Sequence, residues 1–126
     1  MLEHLRDPWS VLKGAVGFLD MNGVVIAAVP NVRHIDTLFS LIIKGEWPYR
    51  DRGIHDRTHL RFFTKSAARN LFASAGLRGD VLRANYRILE KPYRINGISK
   101  YLAAPGLRDF LAFQYILRGG RQVNGA

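Results

Sequence analysis

Residues 23–29, Gly-Val-Val-Ile-Ala-Ala-Val, constrain the fold of this chain more than any other stretch. They are apolar, small or β-branched, and stop at Pro30-Asn31. A run this short reads as a strand buried on both faces, the kind that parallel α/β sheets contain. The preceding residues fit that reading. Asp7 and Pro8 open a helix, Asp as its cap and Pro at its first position. Trp9, Leu12, Val16 and Leu19 then recur at helical spacing, up to a turn at Met21-Asn22-Gly23. Helix, glycine turn and buried strand make the second half of a βαβ unit.

Further along, Ile35, Leu38, Phe39 and Ile42 predict a helix over residues 33–44, ended by Gly45. Residues 46–64 form an irregular connector rich in charged and aromatic side chains. Long loops inside a domain commonly carry function. Thr64 caps a third helix that turns Ala67, Ala68, Leu71, Phe72 and Ala75 one way and stops at Gly76. Strands are expected at 81–89 and 110–119, a short helix near 98–103, and a frayed tail at 120–126. The chain then holds one domain or part of one, over residues 1–119.

Charge narrows the partners. Nineteen Lys and Arg face ten Asp and Glu, a net charge of +9 that attracts anions. One reading is a small basic nucleic-acid-binding protein, with Trp47, Tyr49, Phe62, Tyr86 and Tyr93 to stack on bases. Against it, the arginines are dispersed, the apolar runs read as core, and no RNA-binding signature is present. The absence of cysteine excludes a disulfide framework and a thiolate metal site, and fits a reducing cytoplasm. No apolar run approaches the roughly 20 residues of a membrane span. The charged opening Met-Leu-Glu-His-Leu-Arg-Asp is not a secretory signal.

Chemistry concentrates in His55-Asp56-Arg57-Thr58-His59. On a helix, His55 and His59 would share a face, as in His-Glu-x-x-His zinc sites. Gly53 upstream and Arg57 between them argue against it, and zinc takes at least three protein groups while spacing offers no third. No metal is therefore expected. A histidine on a polar loop can exchange a proton near neutral pH. Asp56 can orient it, and Arg57 and Arg61 can hold anions. The structural alternative is a loop held by Asp–Arg and His–backbone bonds, with Phe62 and Phe63 as anchors. His34 and Trp9 are assigned to packing or helix surface.

Three segments recur in a set order: Leu2-Glu3-His4-Leu5, Gly23 to Asn31, and His59 to Thr64. Together they resemble the C-terminal half of class I S-adenosylmethionine-dependent methyltransferases of the type 11/12-like kind, over about residues 1–89. The resemblance implies an α/β fold, a partial Rossmann-like sheet of about three strands with flanking helices. In that sheet strand five, here residues 23–29, lies between strands four and seven. It implies methyl transfer from S-adenosylmethionine to a small-molecule or saccharide-type acceptor. Leu2, Glu3 and His4 would lie on the cofactor side, with His4 near the sulfonium as base or contact. Asn31 would line the substrate side. His55, Asp56 and His59 would sit over the acceptor, with Arg57 and Arg61 as anion holders, and residues 46–64 as a substrate-side insertion.

The family's donor-binding elements, a Gly-rich turn after strand one and an acidic residue ending strand two, have no counterpart here. Gly14-Ala15-Val16-Gly17 lies inside a helical pattern and is no substitute. The resemblance therefore implies a truncated enzyme whose first residue falls inside strand four, through a misplaced start, a gene remnant or a cloned fragment. Such a chain is expected to be inactive alone and to self-associate through an exposed sheet edge or helix face.

Overall fold

A computed structural model describes residues 1–89, 94–98, 101 and 104–122. Helix α1 (Pro8–Val16) starts as its sequence dictates, with Pro8 in the first turn and the Asp7 carboxylate accepting from the Ser10 amide at 3.0 Å. Hydrogen bonding from the Ser10 side chain, and then from its amide, holds the Asp7 carboxyl below the usual carboxylate range. Gly14 and Gly17 belong to this helix and its end, so they form no loop after a strand.

Strand β1 (Val24–Pro30) follows, then helix α2 (Ile35–Phe39), which continues as a π-helical turn over Ser40–Lys44. Gly45, at φ 67°, ends it in the left-handed region that glycine tolerates. His34 caps α2. Its Nδ1 accepts from the Asp36 amide and its Nε2 donates to the Arg87 carbonyl at 2.6 Å. It is fully buried, a cap and a tie and not a helix-surface residue. Helix α3 (Lys65–Ser74) has Thr64 as its cap and buries Ala68, Leu71 and Phe72. Strand β2 (Leu77–Tyr86), a short helix α4 (Arg108–Leu111) and strand β3 (Ala112–Arg121) complete the order.

The fold is mixed α/β. Its sheet is three-stranded, in the order β1-β3-β2, and β3 pairs antiparallel with both neighbours. The expected parallel pairing of adjacent strands is thus corrected. β1 and β2 do run in the same direction, but β3 lies between them. β1 is also not buried on both faces. Val25, Ala27 and Val29 turn to the core, while Val24, Ile26 and Ala28 are exposed because no described element covers that side. The covered side packs α1 and α3 over Leu12, Val29, Phe63, Leu71, Phe72, Leu77, Tyr115 and Leu117.

Strand limits differ from the sequence reading as well. β2 begins at Leu77, directly after Gly76 (φ 77°), and β3 runs on through Gly119, Gly120 and Arg121 into the expected tail. The reason is pairing. β3 has a partner on each side, so two ladders hold a glycine-rich end that propensity alone would release. Gly79 sits opposite Gly119, where strands cross so closely that a Cβ on Gly79 would lie 2.0 Å from the Arg118 carbonyl oxygen. Of the short helix expected near 98–103, residues 99, 100, 102 and 103 lie outside the described residues, and Arg94–Ile98 form a 3-10 turn. Residues 123–126 of the expected tail, and Tyr93, lie outside them too. Among the described residues no helix is long and apolar enough to cross a membrane.

Candidate functional site

The site forms where the amino-terminal turn meets the connector. Leu2–His4 make one turn of 3-10 helix, and Leu2 anchors it in the core. The Glu3 carbonyl accepts from the amides of Leu60 and Arg61, at 2.8 and 3.0 Å. A few residues on, Phe63 bridges in parallel to Asn31 at the end of β1, and its carbonyl accepts from the Val32 amide. The three segments Leu2–Leu5, Gly23–Asn31 and His59–Thr64 therefore meet at one end of β1.

The loop that carries the histidines is built on an Asx turn. Asp56 Oδ1 accepts from the Thr58 amide at 2.8 Å and from the Thr58 hydroxyl at 2.6 Å. These two bonds hold the Asp56 carboxyl below the usual carboxylate range, the hydroxyl bond contributing most. Having donated to Asp56, the Thr58 hydroxyl can only accept from His4. Its oxygen is 3.0 Å from His4 Nδ1, and the Thr58 carbonyl is 3.3 Å away. His4 Nδ1 therefore donates to Thr58, which turns Nε2 toward Glu3. His59 is fixed in the same way, because its Nδ1 faces the Ile54 carbonyl at 3.2 Å.

Both Nε2 atoms turn to one carboxylate. Glu3 Oε1 lies 3.7 Å from His4 Nε2 and 4.0 Å from His59 Nε2. The rings meet edge to face with centroids 4.6 Å apart. Glu3 is only 8% exposed. Its other oxygen, Oε2, is buried and forms an ion pair with the Met1 amino group at 2.8 Å.

The remaining sequence-derived candidates lie elsewhere. His55 is buried, edge-on to Trp47 at 4.8 Å, and its carbonyl accepts from the Arg50 amide. It shares no helix face with His59, since Gly53 (φ 81°) and the turns after it replace the helix. Asn31 is buried with both ends of its side chain engaged. Its amide donates to the carbonyls of Asp109 and Ala112, at 2.6 and 2.7 Å, and its oxygen accepts from the Arg33 amide. Arg57 pairs with Asp51 at 2.9 Å in solvent. Arg61 donates to the Arg6 carbonyl and lies over the Trp9 ring.

Two site features escaped the sequence reading. Thr58, two residues after Asp56, carries the Asx-turn spacing and was open to recognition on that ground. Glu3 as the shared neighbour of both histidines had no local signal, since only the fold joins it to the loop. No protein-family model matches the chain, and no curated protein matches it.

Proposed function

We propose that this chain carries the acceptor side of an S-adenosylmethionine-dependent methyltransferase that acts on a hydroxyl of a small-molecule or saccharide-type acceptor. The observation that carries the reading is the convergence just described. Three segments far apart in sequence, each matching the family's order, come together at the end of β1 around two fixed histidines. The sheet supports it too. In the resemblance, strand five lies between strands four and seven; here β1 pairs with β3 on one edge, and its other edge has no partner among the described residues.

His4 serves as the base. Its Nδ1–H is held by Thr58, and its Nε2 lone pair can take the proton of an acceptor hydroxyl as the methyl group arrives. His4 is the more exposed of the two, at 41% of its side chain, so an acceptor can reach it. Asp56 acts through Thr58 as a positioning residue. The donor would be S-adenosylmethionine, bound by elements that these described residues do not supply. The nucleic-acid reading gains less, because Trp47 is already flanked edge-on by His55 and Phe62.

The test has two parts. Supplied with a donor-binding half that bears a Gly-rich turn, the chain is expected to transfer labelled methyl from S-adenosylmethionine to a hydroxyl acceptor, and His4→Gln to abolish the transfer. The 126 residues alone are expected to bind the donor weakly or not at all. Tight one-to-one donor binding by the chain alone in a calorimetric titration would overturn this view of the cofactor site.

A further inference from the structure

We infer that Glu3, His4 and His59 form a binding site for a divalent transition-metal ion. Three observations lead there. First, the donor set is right: one ligand atom from each residue lies within 4.8 Å of the other two, a two-histidine, one-carboxylate set that zinc and non-haem iron use. Metal bonds of about 2.0–2.2 Å place ligand atoms about 3.4 Å apart, so the 3.7 and 4.0 Å separations here close with small side-chain movements.

Second, the orientation of the rings suits a cation. Thr58 and the Ile54 carbonyl engage the Nδ1 atoms, which turns both Nε2 atoms toward Glu3 Oε1. Metal-bound histidines are oriented in just this manner, the far ring nitrogen donating to a carbonyl or a carboxylate-linked group. Third, Glu3 is buried, with Oε2 ion-paired to the Met1 amino group and Oε1 left facing the two rings.

The outer ring is complete for both histidines, through Thr58 and Asp56 on one side and Ile54 on the other. The exposed edge of His4 leaves an open coordination position on the solvent side. An ion there would take the His4 lone pair assigned above to the acceptor proton, and would polarise an acceptor oxygen directly. The metal site stands on geometry alone, apart from the methyl-transfer reading, and its test uses neither donor nor acceptor.

The untagged chain, stripped with chelator, is titrated with Zn2+ by calorimetry and with Co2+ by visible absorption. One ion per chain is expected, with a Co2+ spectrum of nitrogen and oxygen ligands. Glu3→Gln and His59→Gln are each expected to weaken Zn2+ binding by more than about 100-fold, the upper end of what outer-shell changes cost. His4→Gln alters an exposed ring and keeps the test open if a buried variant fails to fold. Asp51→Asn, remote from the cluster, is expected to leave binding unchanged. Absence of saturable Zn2+ and Co2+ binding, which leaves a shared proton as the cation, would sink the inference. So would wild-type affinity in Glu3→Gln and His4→Gln.

Discussion

Thr58 shows how much one small side chain can decide. Its hydroxyl joins Asp56 to His4, and its amide closes the turn that aims His59. The native state favours the Asp56 carboxylate, so the stability this gives is fully present above the ordinary value of 3.8 and is lost as pH falls through the lower folded value. Thr58→Val removes the hydroxyl bond and narrows the gap between the two values. Urea unfolding midpoints between about pH 5 and pH 2 are expected to fall less steeply in Thr58→Val than in the parent. An unchanged slope would mean that the amide bond alone sets the shift. The pair His55 and His59 was harder to read. A spacing of four has meaning only on a helix, and whether Gly53 breaks that helix depends on contacts with Trp47 and Glu3 that no local window contains.

At the scale of elements, caps and closing glycines were legible, and strand limits were not. Asp7, Thr64, Gly45 and Gly76 act locally, through their own backbone or the next turn, so sequence displays them. Thr64→Ala, which removes the bond to the Ala67 amide, is expected to cost about 1 kcal/mol, read as a lower unfolding midpoint. The glycines of β2 and β3 work differently. Gly79 and Gly119 are weak strand formers on their own, and they belong to strands because each makes room for the other chain. A methyl group at Gly79 meets backbone atoms, with Gly119 Cα at 2.5 Å, and no rotamer relieves that. Gly79→Ala is therefore expected to cost at least the about 1–3 kcal/mol of ordinary overpacking. Its exchange-protected amides in β2 should be lost before those of α3, measurable by hydrogen exchange. Equal protection in both elements would show that the crossing tolerates the methyl.

For the whole molecule, the uneven covering of the sheet dominates. One face carries α1, α3 and the core; the other shows Val24, Ile26 and Ala28 to solvent, with Ile26 60% exposed. The α2 segment adds Ile42 and Ile43, beside an apolar cleft of about 680 Å³ lined by Ile35, Leu38, Phe39, Leu107 and Phe110. Exposed apolar surface, together with an edge of β1 that has no partner among the described residues, favours pairing between copies. Concentration-dependent self-association is expected in size-exclusion chromatography with light scattering, and Ile26→Lys is expected to shift it toward monomer. A parent that stays monomeric at high concentration would refute this. Sequence gave the apolar content of 23–29 but not its one-sided burial, because burial depends on which layers exist to cover a face.

The middle strand of the sheet is also the latest of the three in the chain. β1 and β2 never touch each other in the ladder, and each depends on β3 for every rung. During synthesis, then, two would-be strands must wait for a third made long after the first. Closing loops that long is slow, and the waiting segments are open to capture by anything nearby. A ribosome stalled after Leu111 would hold a polypeptide whose two outer strands have no ladder partner among the described residues.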